Sequence, residues 1–129
     1  MGTVEELFDV AMAFSSQPLP KGDRVAILTD AGGPAIMATD AVISSGMRMA
    51  ELSEETKAAL RGILHEEASV QNPVDLLGHC TEEHYRSALP LLLRDPGVDA
   101  VLALYVPPVI HDPIRMARAI FESAEGSDK

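Results

Sequence analysis

The stretch 28-LTDAGGPAIMATD-40 decides how this chain folds. An apolar run over residues 25–29 stops at Asp-Ala-Gly-Gly-Pro, and apolar residues then recur at helical spacing over residues 34–45. Paired glycines permit a tight strand-to-helix turn and let a ligand come close to the main chain. Proline suits the first helical turn, because its missing N–H has no intrahelical partner there. The spacing therefore predicts a buried strand over 25–29, a glycine turn over 30–33 and a helix over 34–45. Free amides at such a helix start, around Gly32, Gly33, Pro34 and Ala35, suit an anion. A purely structural turn is the alternative, and the residues alone leave both open.

Upstream, 3-TVEE-6 has the pattern of a capping box, and Leu7, Val10, Ala11 and Phe14 mark one face of a helix ending near Ser16. The segment 17-QPLPKGD-23 reads as a proline-broken connector. Downstream, Gly46 is a natural left-handed helix stop, and residues 47–52 read as a second strand. Ser53 caps a helix to about Leu64, with Glu54 and Glu55 where the dipole favours them. The segment 65-HEEASVQNPVDLLGHC-80 has neither period and is expected to be an ordered loop. Within it, Asn72 and Asp75 of 72-NPVD-75 read as an Asx turn in which Asp75 caps backbone amides. Thr81 caps a helix to Arg94, 95-DPGVD-99 is a turn, and residues 99–106 form a third strand. After 107-PPVIH-111, Asp112 caps a last helix that opens with Pro113 and ends near Ala124.

Strands alternating with helices predict an α/β fold: an open parallel sheet with helices on both faces. Right-handed crossovers give the strand order 2-1-3, the start of a flavodoxin-like sheet that stops early. The third strand would then keep an open edge, so either a longer protein or another copy of the chain is expected to complete the sheet. Ligands of such sheets collect beyond the carboxyl ends of the strands, where the order reverses. The loops 30-DAGGP-34 and 107-PPVIH-111 converge on that place.

With 129 residues and 47% apolar content the chain supports one domain with a real core. No apolar run approaches the ~18 residues of a membrane span. The formal net charge of −10, with no basic stripe and no Trp, argues against nucleic acid and anionic lipid as partners. The single cysteine, Cys80, and the absence of a leader pattern at the start lead us to expect a cytoplasmic protein. Dinucleotide, P-loop and Gly-x-Ser-x-Gly patterns are absent. His65, His79, His84 and His111 lack metal-ligand spacing, so no metal site is expected.

The ordered series VEELFDVA, QPLPKGDRVAILTDAGGPAIMATDA, AELSEETKAAL, ASVQNPVDLLG, DPGVDAVLALYVPP and HDP spans roughly residues 3–124. It resembles one domain of the NDP-forming (ADP-forming) acyl-CoA synthetases: the flavodoxin-like CoA-ligase module, similar to the carboxy-terminal domain of the succinyl-CoA synthetase beta subunit. The resemblance implies that 32-GGP-34 and its helix hold a phosphoryl group, facing a phosphorylated histidine on a separate module. It places the acyl-substrate loop on Asp30, Pro107, Pro108 and Val109. It also implies phosphohistidine/CoA-binding and ATP-grasp domains as partners. ADP/ATP, magnesium and CoA are implied for the complete enzyme, with no cofactor bound and no catalysis by this domain alone. Two positions depart from the pattern. Asp30 stands where asparagine is common, losing an N–H donor and repelling an acyl carboxylate. Gly78-His79-Cys80 stands where Gly-Asp-Ala is frequent, and His79 lacks the glycine-rich loop of the phosphohistidine. A degenerate, non-catalytic module that self-associates through its sheet edge is the alternative reading.

Overall fold

The computed structural model describes residues 2–107 and 112–129, and β1 (Arg24–Thr29) is the parallel partner of every other strand. Peptide groups of a strand point alternately to its two edges, and β1 uses both. On one edge the carbonyls of Arg24 and Leu28 accept from Asp99 and Leu104, so β4 (Ala100–Ala103) lies there. On the other, the carbonyls of Asp23, Val25 and Thr29 accept from Arg48, Ala50 and Leu76. Two short strands share this second edge: β2 (Arg48–Met49) opposite Arg24 and Val25, and β3 (Val74–Asp75) opposite Leu28 and Thr29. Between them lies the side chain of Asn72. Its Oδ1 accepts from the N–H of Ile27 at 2.9 Å, and its Nδ2 donates to the carbonyls of Val25 at 2.8 Å and Ala50 at 2.9 Å. The Asn72–Pro73 peptide bond is cis.

The expected order of second, first and third strand is found as β2-β1-β4. Residues 65–80, expected as a loop, also contribute β3. Two residues are too few to display a period, and Pro73 before them has no N–H to offer a ladder. The second and third strands are shorter than the apolar runs suggested, because such runs continue into buried loop residues such as Ala50 and Leu52.

The helix after β1 begins earlier than the proline suggested. α2 (Gly32–Ser44) has Ala31 as its N-cap, so both glycines stand in its first turn. Neither has a positive φ; among the described residues the left-handed glycines are Gly46 and Gly126. The reversal out of β1 is made at residues 29–31, where the Thr29 hydroxyl accepts from the N–H of Ala31 at 3.1 Å. Gly46, at φ 79°, closes α2 as its sequence position predicts.

α3 (Glu54–Ile63), α4 (Glu82–Arg94) and α5 (Pro113–Ala124) cover the sheet face that carries Ala26, Leu28 and Val74. Leu60, Tyr85, Leu92 and Met116 from these helices are buried there. α2 covers the opposite face, where Val42 meets Val25 and Ile27. Each large apolar side chain buried this way stabilises the fold by roughly 1.5–3 kcal/mol. α1 (Val4–Ser16) is capped as expected, with Thr3 Oγ1 accepting from Glu6 at 3.2 Å. Its apolar face does not join the core: no residue of α1 is buried. The connector residues Pro18, Leu19 and Pro20 line a cleft with Ala100 and Val101 of β4.

Charged side chains lock the amino end of the sheet. Arg24 donates through Nε and Nη2 to the two carboxylate oxygens of Asp99, each at 2.8 Å, and its backbone N–H reaches the same group. Asp95 is 1% exposed and accepts from the N–H and hydroxyl of Ser53 and from the N–H of Gly97. Gly97 is required here, since a Cβ would stand 2.5 Å from the Glu51 carbonyl oxygen. The guanidinium and backbone N–H of Arg24 hold the Asp99 carboxyl well below the usual range. At Asp95 burial pushes upward, and donors from Thr56, Ser53 and Gly97 outweigh it to leave the carboxyl lowered. A lowered folded-state pKa gives stability that is present above the unfolded value and lost as pH falls through the folded one. The urea midpoint is therefore expected to drop as the pH falls from about 5 to about 2. Arg24→Gln should lower the midpoint at neutral pH and flatten that drop; an unchanged acid slope would contradict the role given to the Arg24–Asp99 pair.

Candidate functional site

Three loops meet at the carboxyl end of the sheet. The first follows β1 through Asp30 and Ala31, the second follows β3 through residues 76–80, and the third follows β4 through residues 104–107. Asp30 ties the first to the third. It is 5% exposed, and its Oδ1 accepts from the N–H of Val106 at 2.9 Å. The second loop lies against the first: a Cβ on Gly78 would stand 3.9 Å from the Asp30 carbonyl oxygen. Asp75 turns that loop, its Oδ1 accepting from the N–H of Leu77 at 2.9 Å, which is the Asx turn expected for 72-NPVD-75. Leu77 there adopts φ 68°, an uncommon conformation for a branched side chain.

The start of α2 faces this meeting point with its backbone bare. Gly32, Gly33 and Pro34 are exposed. The N–H of Ala35 donates to the Ala31 carbonyl at 3.2 Å, and Ala35 itself is buried. Pro34 has no N–H, so Gly32 and Gly33 hold the donors that the helix leaves free. A Cβ on Gly33 would meet nothing within 4 Å, whereas one on Gly32 would stand 3.4 Å from Asp75 Oδ2. The other helices treat their amino ends differently. Thr3, Ser53 and Asp112 cap α1, α3 and α5, and α4 opens with Glu82 and Glu83. α2 has neither a side-chain cap nor an acid in its first turn.

Several sequence-derived candidates fall elsewhere. Asn72 belongs to the sheet interior rather than to the rim. Pro107 is exposed beside Val106, and Pro108, Val109 and His111 lie outside the described residues. His84 accepts from the N–H of Thr81 at 2.9 Å as part of a helix cap, and His79 stacks edge-on with His65. Among the described residues no group of three or more His, Cys, Asp or Glu could hold a metal ion, and no helix is long and apolar enough to cross a membrane. The second loop, with Leu77 and Gly78, was not among the candidates. The signal for it was available: 75-DLLG-78 repeats the acid-then-glycine pattern of 30-DAGG-33.

Tyrosines line the core beneath the loops. The Tyr85 hydroxyl donates to the Leu104 carbonyl, and burial pushes its pKa well above the ordinary value. Tyr105 meets it edge-on, and its buried hydroxyl has no partner among the described residues. Cys80 is 2% exposed; burial, then the charges of Asp30 and Asp75, push its thiol up to about 11. A buried thiol with so little thiolate at neutral pH is inert. Ellman's reagent should therefore leave Cys80 unreacted in the folded protein and titrate it fully in denaturant; fast reaction of the folded chain would contradict its burial.

A family model described as the Ligase-CoA domain matches residues 25–128. The alpha subunit of an ADP-forming acetate–CoA ligase II from Pyrococcus furiosus is 44% identical over 106 residues, covering 82% of this chain and 23% of that protein. A crystal structure of a Pyrococcus horikoshii OT3 protein superposes with a TM-score of 0.88 at 38% identity, over 97% of this chain and 29% of that one. The dinucleotide-forming acetyl-coenzyme A synthetase 1 of Ca. Korarchaeum cryptofilum, in complex with phosphate and ADP, superposes at 0.87 with 29% identity, over 97% and 27%. The chain thus spans less than a third of the length of each of these relatives.

Proposed function

The chain belongs to the Ligase-CoA domain family, and from that premise we propose that it serves an NDP-forming acyl-CoA synthetase by presenting the start of α2 to a phosphoryl group. The reaction in view is acyl-CoA, ADP and phosphate giving acid, CoA and ATP, reversibly. The phosphoryl group arrives on a histidine of a neighbouring domain, and Gly32 and Gly33 donate their free N–H groups to it. The helix dipole adds the equivalent of roughly half a positive charge at that end. Such fixed donors act without reorganising at the moment of transfer.

Gly33 is the observation that carries this reading. Its backbone has no positive φ, a Cβ would meet nothing, and glycine in a helix costs roughly 0.5–1 kcal/mol against alanine. The fold gains nothing from glycine here, whereas a ligand approaching the main chain does. The surrounding charge fits a delivered rather than a freely bound phosphoryl group. Asp30 and Asp75 stand beside the site, and no arginine or lysine side chain pairs with either among the described residues. Free phosphate should bind feebly, and covalent delivery removes the need for affinity. Asp30 commits one oxygen to Val106 and holds the loop that leads into Pro107, so its part at the acyl site is to place that loop.

ADP, CoA and magnesium are held by the phosphohistidine/CoA-binding and ATP-grasp domains; the carboxylates of Asp30 and Asp75 each commit one oxygen to a backbone N–H. Self-association through the β4 edge is the competing reading, and the prolines lining the cleft beside Ala100 and Val101 offer no N–H to extend a ladder there. Gly33→Ala separates structure from function. In the assembled enzyme it should leave thermal stability unchanged or raised by up to ~1 kcal/mol. Its phosphoryl-transfer rate should fall about tenfold or more. A variant with the parent rate would remove α2 from the chemistry.

A further inference from the structure

Resting on that reading of α2, we infer that Asn72 is a positioning residue for the phosphoryl-facing end of the sheet: its side-chain amide replaces a peptide unit between β2 and β3 and thereby fixes Asp75 against Gly32. The need for it arises on the second edge of β1. Ladder bonds from β2 end at Ala50, and β3 pairs with β1 only from Val74 onward. The N–H of Ile27 faces the gap, in a residue that is 0% exposed. Water does not reach it, so a protein group has to accept from it.

A carboxamide is suited to that gap because it carries an acceptor and two donors in one plane, as a peptide unit carries an acceptor and a donor. Asn72 uses all three, to Ile27, Val25 and Ala50. An aspartate would turn an oxygen toward two carbonyls, and a serine would not span the gap. The same side chain therefore stitches β1 to the end of β2 and to the segment that becomes β3.

The consequence reaches the rim. With Asn72 held, Val74 pairs with Leu28 and Asp75 with Thr29, and the N–H of Leu76 reaches the Thr29 carbonyl at 2.7 Å. Ser69 holds Asp75 from the other side through two backbone bonds of 3.1 Å. Asp75 Oδ1 is committed to Leu77, which leaves Oδ2 facing the start of α2. A one-residue slip of β3 would carry this carboxylate to the opposite face. Asp75 puts negative charge beside the two free helix amides and so competes with any anion there. Asn72 sets the strength of that competition without touching the ligand.

The test follows the amide signals of the 129-residue chain by NMR, with inorganic phosphate as the probe. Phosphate should shift Gly32 and Gly33 in the parent chain. Asp75→Asn keeps the acceptor for Leu77 and removes the charge, so its phosphate midpoint should fall about threefold or more with an unchanged thermal midpoint. Asn72→Ser should speed hydrogen exchange at Ile27, Leu76 and Leu77 by about tenfold or more while Asp99 and Leu104, bonded to the other edge of β1, keep their protection. Its phosphate midpoint should move as well. Equal acceleration on both edges would overturn the inference, as would one-sided acceleration with the parent phosphate midpoint. If Asn72→Ser does not fold, an unchanged midpoint in Asp75→Asn overturns it. If neither the parent chain nor Asp75→Asn responds to phosphate, the reading of α2 fails, and the one-sided exchange pattern alone decides whether Asn72 places Asp75.

Discussion

The peptide groups of β1 must find partners on both edges, because residues 26–29 are wholly buried and an orphaned N–H there would cost about 1–3 kcal/mol. One edge is satisfied by β4 in continuous register. The other is satisfied piecewise, by β2 at one end, β3 at the other and the Asn72 amide between them. Nearly everything at the carboxyl end of the sheet hangs on this arrangement. It fixes where β3 stops, hence where Asp75 turns the chain, hence which loop lies over Asp30 and Gly32.

The two ends of the sheet are built on opposite electrostatic plans. At the amino end, arginines meet carboxylates in pairs, Arg24 with Asp99 and Arg48 with Asp23, and the charges are spent on holding strands together. At the carboxyl end, Asp30 and Asp75 accept from backbone N–H groups and pair with no arginine or lysine among the described residues, while α2 offers bare amides beside them. That combination of donors and carboxylates makes a poor trap for a free anion and a workable surface for one brought by a larger assembly.

Much of this is legible in the sequence. Thr3, Ser53, Thr81 and Asp112 cap the helices expected of them, since a cap depends on a side chain reaching amides a few residues away. Gly46 ends α2 for the same local reason. The family was readable from the order and spacing of segments such as 72-NPVD-75, although the work done by Asn72 was not: its three partners lie on β1 and just after β2, more than twenty positions away in sequence. The glycines of 30-DAGGP-34 were expected to make a turn that they do not make, since the reversal is built by Thr29 and Ala31 and both glycines are helical. The apolar face of α1 was legible as a face, but none of its residues is buried: an amphipathic pattern records only that a helix has a face to cover, not what covers it.

The sequence by itself determined the alternation of strand and helix, the caps and stops, the buried centre at residues 25–29 and the family. These depend on short-range periodicity and on ordered motifs, both of which a linear chain displays. Tertiary structure alone decided that β3 exists, that Asn72 fills the sheet, that Asp75 rather than a distant acid faces Gly32, and that Gly33 is free of steric need. Each of those facts is a distance between segments remote along the chain, and such distances are set only when the edges of β1 have all been satisfied at once.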